Sequence, residues 1–128
     1  MKKIAFAIFA LALVLSIAPQ AFAAATVNRV DNVVTITAID ADWTWTDTFP
    51  GWGPGMRVIS IEFIGGAVDD HLVVKNETDA GPTLMDRYID DVKFSTTKTL
   101  FGARVKPMID FSACTLSVGH KVIIVIGE

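Results

Sequence analysis

Apolar positions along this chain follow two rhythms. Residues 4–18 are a nearly unbroken apolar run, preceded by Lys2 and Lys3 and followed by Pro19 and the small residues Ala21 and Ala23. After residue 26 the period is two almost everywhere, which places alternate side chains on opposite faces of a pleated strand. Residues 27–30 and 33–39 flank Asp31-Asn32 and predict a hairpin. In residues 57–63, Ile59, Ile61 and Phe63 alternate with Val58, Ser60 and Glu62, predicting a strand with the first three on its buried face. Gly65-Gly66 ends that strand, and Asp69-Asp70 precedes the next, over 72–75. The polar stretch 76–82 is turn chemistry, so a further strand is expected over 84–89.

Residues 92–101 alternate weakly on Val92, Phe94 and Leu100 until Gly102 punctuates them. In 105–111, Val105, Pro107, Ile109 and Phe111 share one side; Pro107 has no ladder donor, which predicts an edge strand or a bulge. Residues 122–126, Val-Ile-Ile-Val-Ile, are apolar without alternation and predict a strand covered on both faces. About eight short strands at intervals of roughly 8–12 residues predict an all-β, antiparallel β-sandwich, jelly-roll-like or Ig-like. Helical spacing competes only over 83–93, through Leu84, Arg87, Tyr88 and Asp91. No internal repeat or linker divides residues 24–128, so they read as a single domain.

The first rhythm has a different meaning. A basic start, an apolar core too short to span a membrane comfortably, a helix breaker and an A-x-A pattern read as a secretory signal peptide over residues 1–23, cleaved after Ala23. Its removal leaves 105 residues, and the loss of Lys2 and Lys3 takes the net charge from −3 to −5. An acidic domain of this kind argues against nucleic-acid binding. No later apolar stretch approaches membrane-spanning length, so the expectation is an exported product, periplasmic or extracellular, with no membrane span after cleavage. Cys114 is the single cysteine, so no internal disulfide can form and the core must hold unaided. Its small and apolar neighbours favour a buried hydrophobe over a reactive thiol or an intermolecular disulfide.

Candidate chemistry concentrates where the tryptophans do. Trp43, Trp45 and Trp52 lie within ten residues. If residues 39–46 are extended, Trp43 and Trp45 share a face about 7 Å apart, as a sugar-stacking platform would require. Ile39 and Ala41 occupy the same face, however, and favour the core. Trp52 lies among Pro50, Gly51, Gly53, Pro54 and Gly55, hence on a loop, either folded over an open end of the core or presented to a partner. Asp40 and Asp42, Asp69 and Asp70, and Asp86, Asp90 and Asp91 form oxygen-rich groups of the kind calcium uses, with Asp69, Asp70, Asp90 and Asp91 the weak candidates. No EF-hand pattern is present, and solvated turns account for them, so no metal is assigned. His71 and His120 lack zinc spacing, no G-x-S-x-G surrounds a serine, and the Gly51, Gly53, Gly55 run has Pro54 and no following helix. No catalytic residue and no cofactor is assigned. Asn76-Glu77-Thr78 fits a glycosylation sequon, but the reading as a polar turn is preferred.

The segments Arg57-Val58-Ile59-Ser60-Ile61-Glu62-Phe63, Asp69-Asp70, Val74-Lys75-Asn76, Gly81-Pro82, Lys106-Pro107-Met108-Ile109-Asp110-Phe111 and Lys121-Val122-Ile123-Ile124 together resemble small all-β proteins encoded by phages and prophage-like regions. The resemblance implies a non-catalytic structural or surface-decorating module and carries over no functional residue. The leader is not part of it. The expected function is therefore an exported, non-enzymatic structural or surface-association module, with self-association through an edge strand such as 105–111 or with a cell-surface or glycan partner. The alternative is a carbohydrate-binding module using Trp52, with or without Trp43 and Trp45.

Overall fold

The computed structural model describes residues 25–39, 42–49, 56–90 and 94–127. The segment read as a leader, Asp40, Asp91, Val92 and the Gly/Pro-rich loop with Trp52 lie outside them. The elements are β1 (Thr26–Val30), β2 (Val33–Thr37), β3 (Trp43–Thr44), a single helical turn α1 (Trp45–Thr48), β4 (Arg57–Ile64), β5 (His71–Asn76), β6 (Thr83–Tyr88), β7 (Ser95–Arg104), β8 (Met108–Asp110) and β9 (Lys121–Gly127). Two antiparallel sheets form, a five-stranded one in the order β1-β2-β9-β4-β7 and a four-stranded one in the order β3-β8-β5-β6. This is the all-β sandwich that the alternation requires, because each sheet has one apolar face to hide and the other sheet hides it.

The core lies between the sheets. Val34 and Ile36 of β2, Val58, Ile61 and Phe63 of β4, and Val122, Ile124 and Ile126 of β9 come from one side. Leu72 and Val74 of β5, Leu84 and Met85 of β6, and Ile109 of β8 come from the other. Asp31-Asn32 turns the β1–β2 hairpin with Asp31 at φ 52°, a left-handed conformation that Asp tolerates. The turn after β5 closes on Gly81, where a Cβ would stand 1.8 Å from the Asn76 carbonyl oxygen, so no side chain fits.

Four expectations change. The alternation in β4 breaks at Ile59: the register slips between Val58 and Ser60 against both β7 and β9, so Ile59 is a β-bulge. The buried face is then Val58, Ile61 and Phe63, while Ile59 is 42% exposed. Gly102 does not end the preceding strand; at φ 75° it sits inside β7, in the excursion that answers the bulge. Residues 105–111 are not an edge strand, since β8 begins after Pro107 and lies between β3 and β5. Pro107, excluded from the ladder, offers its carbonyl to the Trp45 N–H at 2.7 Å. Finally, β9 is fully covered on one face only, with Ile123 and Val125 left half-buried on the other.

Candidate functional site

The residues singled out by chemistry go mostly into structure. Trp43 and Trp45 do not share a strand face, because β3 stops at Thr44 and Trp45 opens α1. Their burial also removes the stacking platform: Trp43 is 2% exposed and Trp45 1%, with rings edge-on at 4.4 Å and 65°. Each indole N–H is used, Trp43 Nε1 toward Thr48 Oγ1 (3.2 Å) and Trp45 Nε1 toward the Lys106 carbonyl (2.7 Å). Phe49 extends this cluster toward β1, where the Arg29 guanidinium lies 4.0 Å over its ring. The indoles are core because α1 and the segment before β8 close over them.

The carboxylates likewise serve the backbone. Asp70 is 2% exposed, and its Oδ2 accepts the N–H groups of Gly66 (2.7 Å) and Ala67 (3.2 Å) while Oδ1 accepts that of Ser117 (2.8 Å). Burial alone raises its pKa, but the Ser117 hydroxyl and the three N–H donors outweigh burial and hold it below the usual value of 3.8. Asp69 is an exposed turn residue at φ 68°, and Asp90 is exposed. Among the described residues no group of three acids, histidines or cysteines is placed to hold a metal ion. Asp42 and Asp110 approach each other, and Asp110 also accepts from the Ser112 N–H and hydroxyl (3.0 and 2.7 Å). Burial, then the charge of Asp110, raises the pKa of Asp42, against a weak pull from the Phe111 N–H.

His71 Nε2 meets Asp86 Oδ1 at 2.8 Å and its ring stacks on Tyr88 at 3.8 Å. Among the described residues no hydroxyl or thiol is hydrogen-bonded to that ring. Cys114 donates to the Val73 carbonyl (3.2 Å), and burial pushes its thiol up to about 11. A shallow cleft of about 450 Å³ is lined by Thr37–Ile39 and Leu116–Lys121. Three of its lining residues are engaged with one another: His120 accepts from the Ile39 N–H (2.8 Å) and meets the Ser117 carbonyl (2.7 Å).

Also without an internal role is a surface. On the outer face of the five-stranded sheet the ladders align Val30, Val33, Val125, Ser60 and Thr99 in one row across all five strands. Val30 is 65% exposed and Val33 38%. Beside this row the bulged Ile59 lies over Gly127, whose added Cβ would touch it at 3.0 Å. Opposite the bulge, Leu100 turns toward the core while Phe101 stands 93% exposed at φ 51°. A bulky L residue in that region is strained, and such strain persists only where neighbouring structure enforces it. One neighbouring row is Asn28, Thr35, Ile123, Glu62 and Thr97, polar except for Ile123 and with Glu62 as its one charge; the other carries Arg57 and Arg104 about Gly127.

Inspection of the sequence misses this surface because its members are scattered from residue 30 to residue 125. The available signal was the unbroken apolar run of β9, which demands a cover on both faces. No family model, curated protein or solved structure matches this chain.

Proposed function

We propose that this protein is a non-catalytic association module whose working surface is the outer face of the five-stranded sheet. The observation that supports this reading is the apolar set of Val30, Val33 and Val125 in one row with Ile59 and Phe101 beside it. These side chains leave on the order of 400 Å² of apolar surface open, at the size where contiguous patches on soluble proteins mark interaction sites. The edges of the same sheet are less suited. β7 carries Lys98 in register with the buried Ile61, an inward-facing charge on an edge strand, and β1 is packed against α1. The module is exported through residues 1–23 in this reading, and mass spectrometry of its N-terminus in the producing cell tests that step separately.

The surface is tested by site-specific photocrosslinking in the producing cell. A photoreactive residue at Thr35, on the outer face of the five-stranded sheet, is expected to yield defined adducts. The same residue at Arg87, on β6 of the other sheet, is expected to yield none. Absence of adducts from Thr35, or equal labelling at both sites, refutes the assignment.

A further inference from the structure

Resting on that reading, we infer that the partner of this face is a second copy of the same chain, packed face to face about a two-fold axis along β9. β9 is the third of five strands, so such a rotation exchanges β1 with β7 and β2 with β4 and lays β9 on itself. Along the row this sets Val125 against Val125 and brings Ser60 and Thr99 of one copy onto Val33 and Val30 of the other, with the projecting Ile59 and Phe101 beside them. The face therefore carries both halves of its own complement: two projecting side chains on the β4–β7 half and a flat β-branched platform on the β1–β2 half.

Charge follows the same exchange. Arg57 and Arg104 are cross-strand partners at the level of Gly127, and among the described residues neither has a carboxylate partner. At that level on the opposite half stands the exposed Asp31 of the β1–β2 turn, whose neighbour Asn32 accepts the Ile126 N–H. The two-fold sets both guanidinium groups toward Asp31 of the other copy, turning a like-charge pair into two sets of opposite charges. Lys121 meets its own counterpart only at the far end of β9, where the ~30° inclination of aligned sheets carries the strand ends apart.

The area is sufficient. The apolar side chains of two copies remove about 800 Å² from water, and the flanking row of Asn28, Thr35, Ile123, Glu62 and Thr97 on each copy, in which Glu62 faces the Thr35 hydroxyl of the other, brings the total to the ~1,200 Å² at which specific interfaces begin. The second copy also supplies the missing cover over Ile123 and Val125.

Sedimentation equilibrium of the purified protein in the form its host produces is expected to show a concentration-dependent dimer. Phe101→Gly, which removes the strained side chain, is expected to leave thermal stability of the monomer unchanged or raised while weakening association at least tenfold. Arg104→Glu and Asp31→Arg are each expected to weaken the dimer, and mixing the two variants in equal amounts to restore it in part, because one mixed contact is the native one and the other sets opposite charges at positions 31 and 104 beside the unchanged Arg57. A dimer indifferent to these substitutions, or one not restored by mixing, overturns the two-fold arrangement. A monomer at every concentration, with Thr35 crosslinked in the cell to a different protein, overturns self-association while leaving the surface assignment standing. A monomer with no Thr35 adduct refutes both.

Discussion

Replacing Asp70 by Asn probes the buried carboxylate that joins the turn after β4 to the loop before β9. The substitution is nearly isosteric, so packing is preserved and only the charge and one acceptor are lost. Asp70 holds three backbone N–H groups. If the amide oxygen faces Gly66 and Ala67, the new NH2 group faces the Ser117 N–H, donor against donor. Two charge-assisted bonds become neutral ones and one buried N–H loses its acceptor, a cost of about 3 kcal/mol at neutral pH. For a domain of this size that lowers Tm by about 10–20 °C.

The pH dependence has a definite sign. Asp70 has a folded pKa below its ordinary 3.8, so its contribution is complete above that value and disappears as pH falls through the folded pKa. The gap between native protein and Asp70→Asn should be wide at pH 7 and should close as the solution is acidified below 3.8. Urea unfolding followed by tryptophan fluorescence at several pH values measures it directly. A gap under about 0.5 kcal/mol at pH 7, or one of constant width across this range, would show that the carboxylate does not hold the loop as described.

Three further outcomes are expected. Asp42→Asn should gain stability relative to the native protein as pH rises: burial, then the neighbouring Asp110 charge, raises the pKa of Asp42, so it is comfortable protonated near pH 3 and costly once ionised; acid-to-neutral melts of both proteins check this, and an opposite trend contradicts this placement of Asp42. Cys114, with its thiol pushed up to about 11, should react with iodoacetamide at pH 8 roughly 100-fold more slowly in the folded protein than in urea, as quantified by mass spectrometry. Gly81→Ala must displace the Asn76 carbonyl, which it would approach to 1.8 Å, and should cost about 2–4 kcal/mol in urea unfolding; a neutral effect would mean the turn is looser than the close approach implies.

Much of the architecture is legible in the amino-acid pattern. Asp31-Asn32, Gly65-Gly66 and the polar stretch 76–82 stand where the chain turns, and β2, β5, β6 and β9 lie close to where the period of two puts them. That period is local: a pleated backbone sends neighbouring side chains to opposite faces whatever lies beyond. The errors arise where a property depends on neighbours distant in sequence. Ile59 belongs to the apolar set by its position in 57–63, yet it bulges because β4 must match β7 and β9 at once, and a slip of one residue moves it to the other face. Pro107 correctly marks a break in pairing, but nothing local says that β3 will flank β8.

The same division runs through the candidate site. Trp43 and Trp45 announce themselves by type, and only the closure of α1 and the segment before β8 over them decides that they are core. Asp70 reads as a turn residue until three N–H groups from two loops converge on it. The apolar surface follows this rule most plainly. By itself the sequence determined that residues 122–126 prefer to be covered on both faces, since burial of side chains is written into their composition. Only the tertiary structure decided that one molecule supplies a single cover, because the four-stranded sheet can occupy one face of β9 and leaves the other in water.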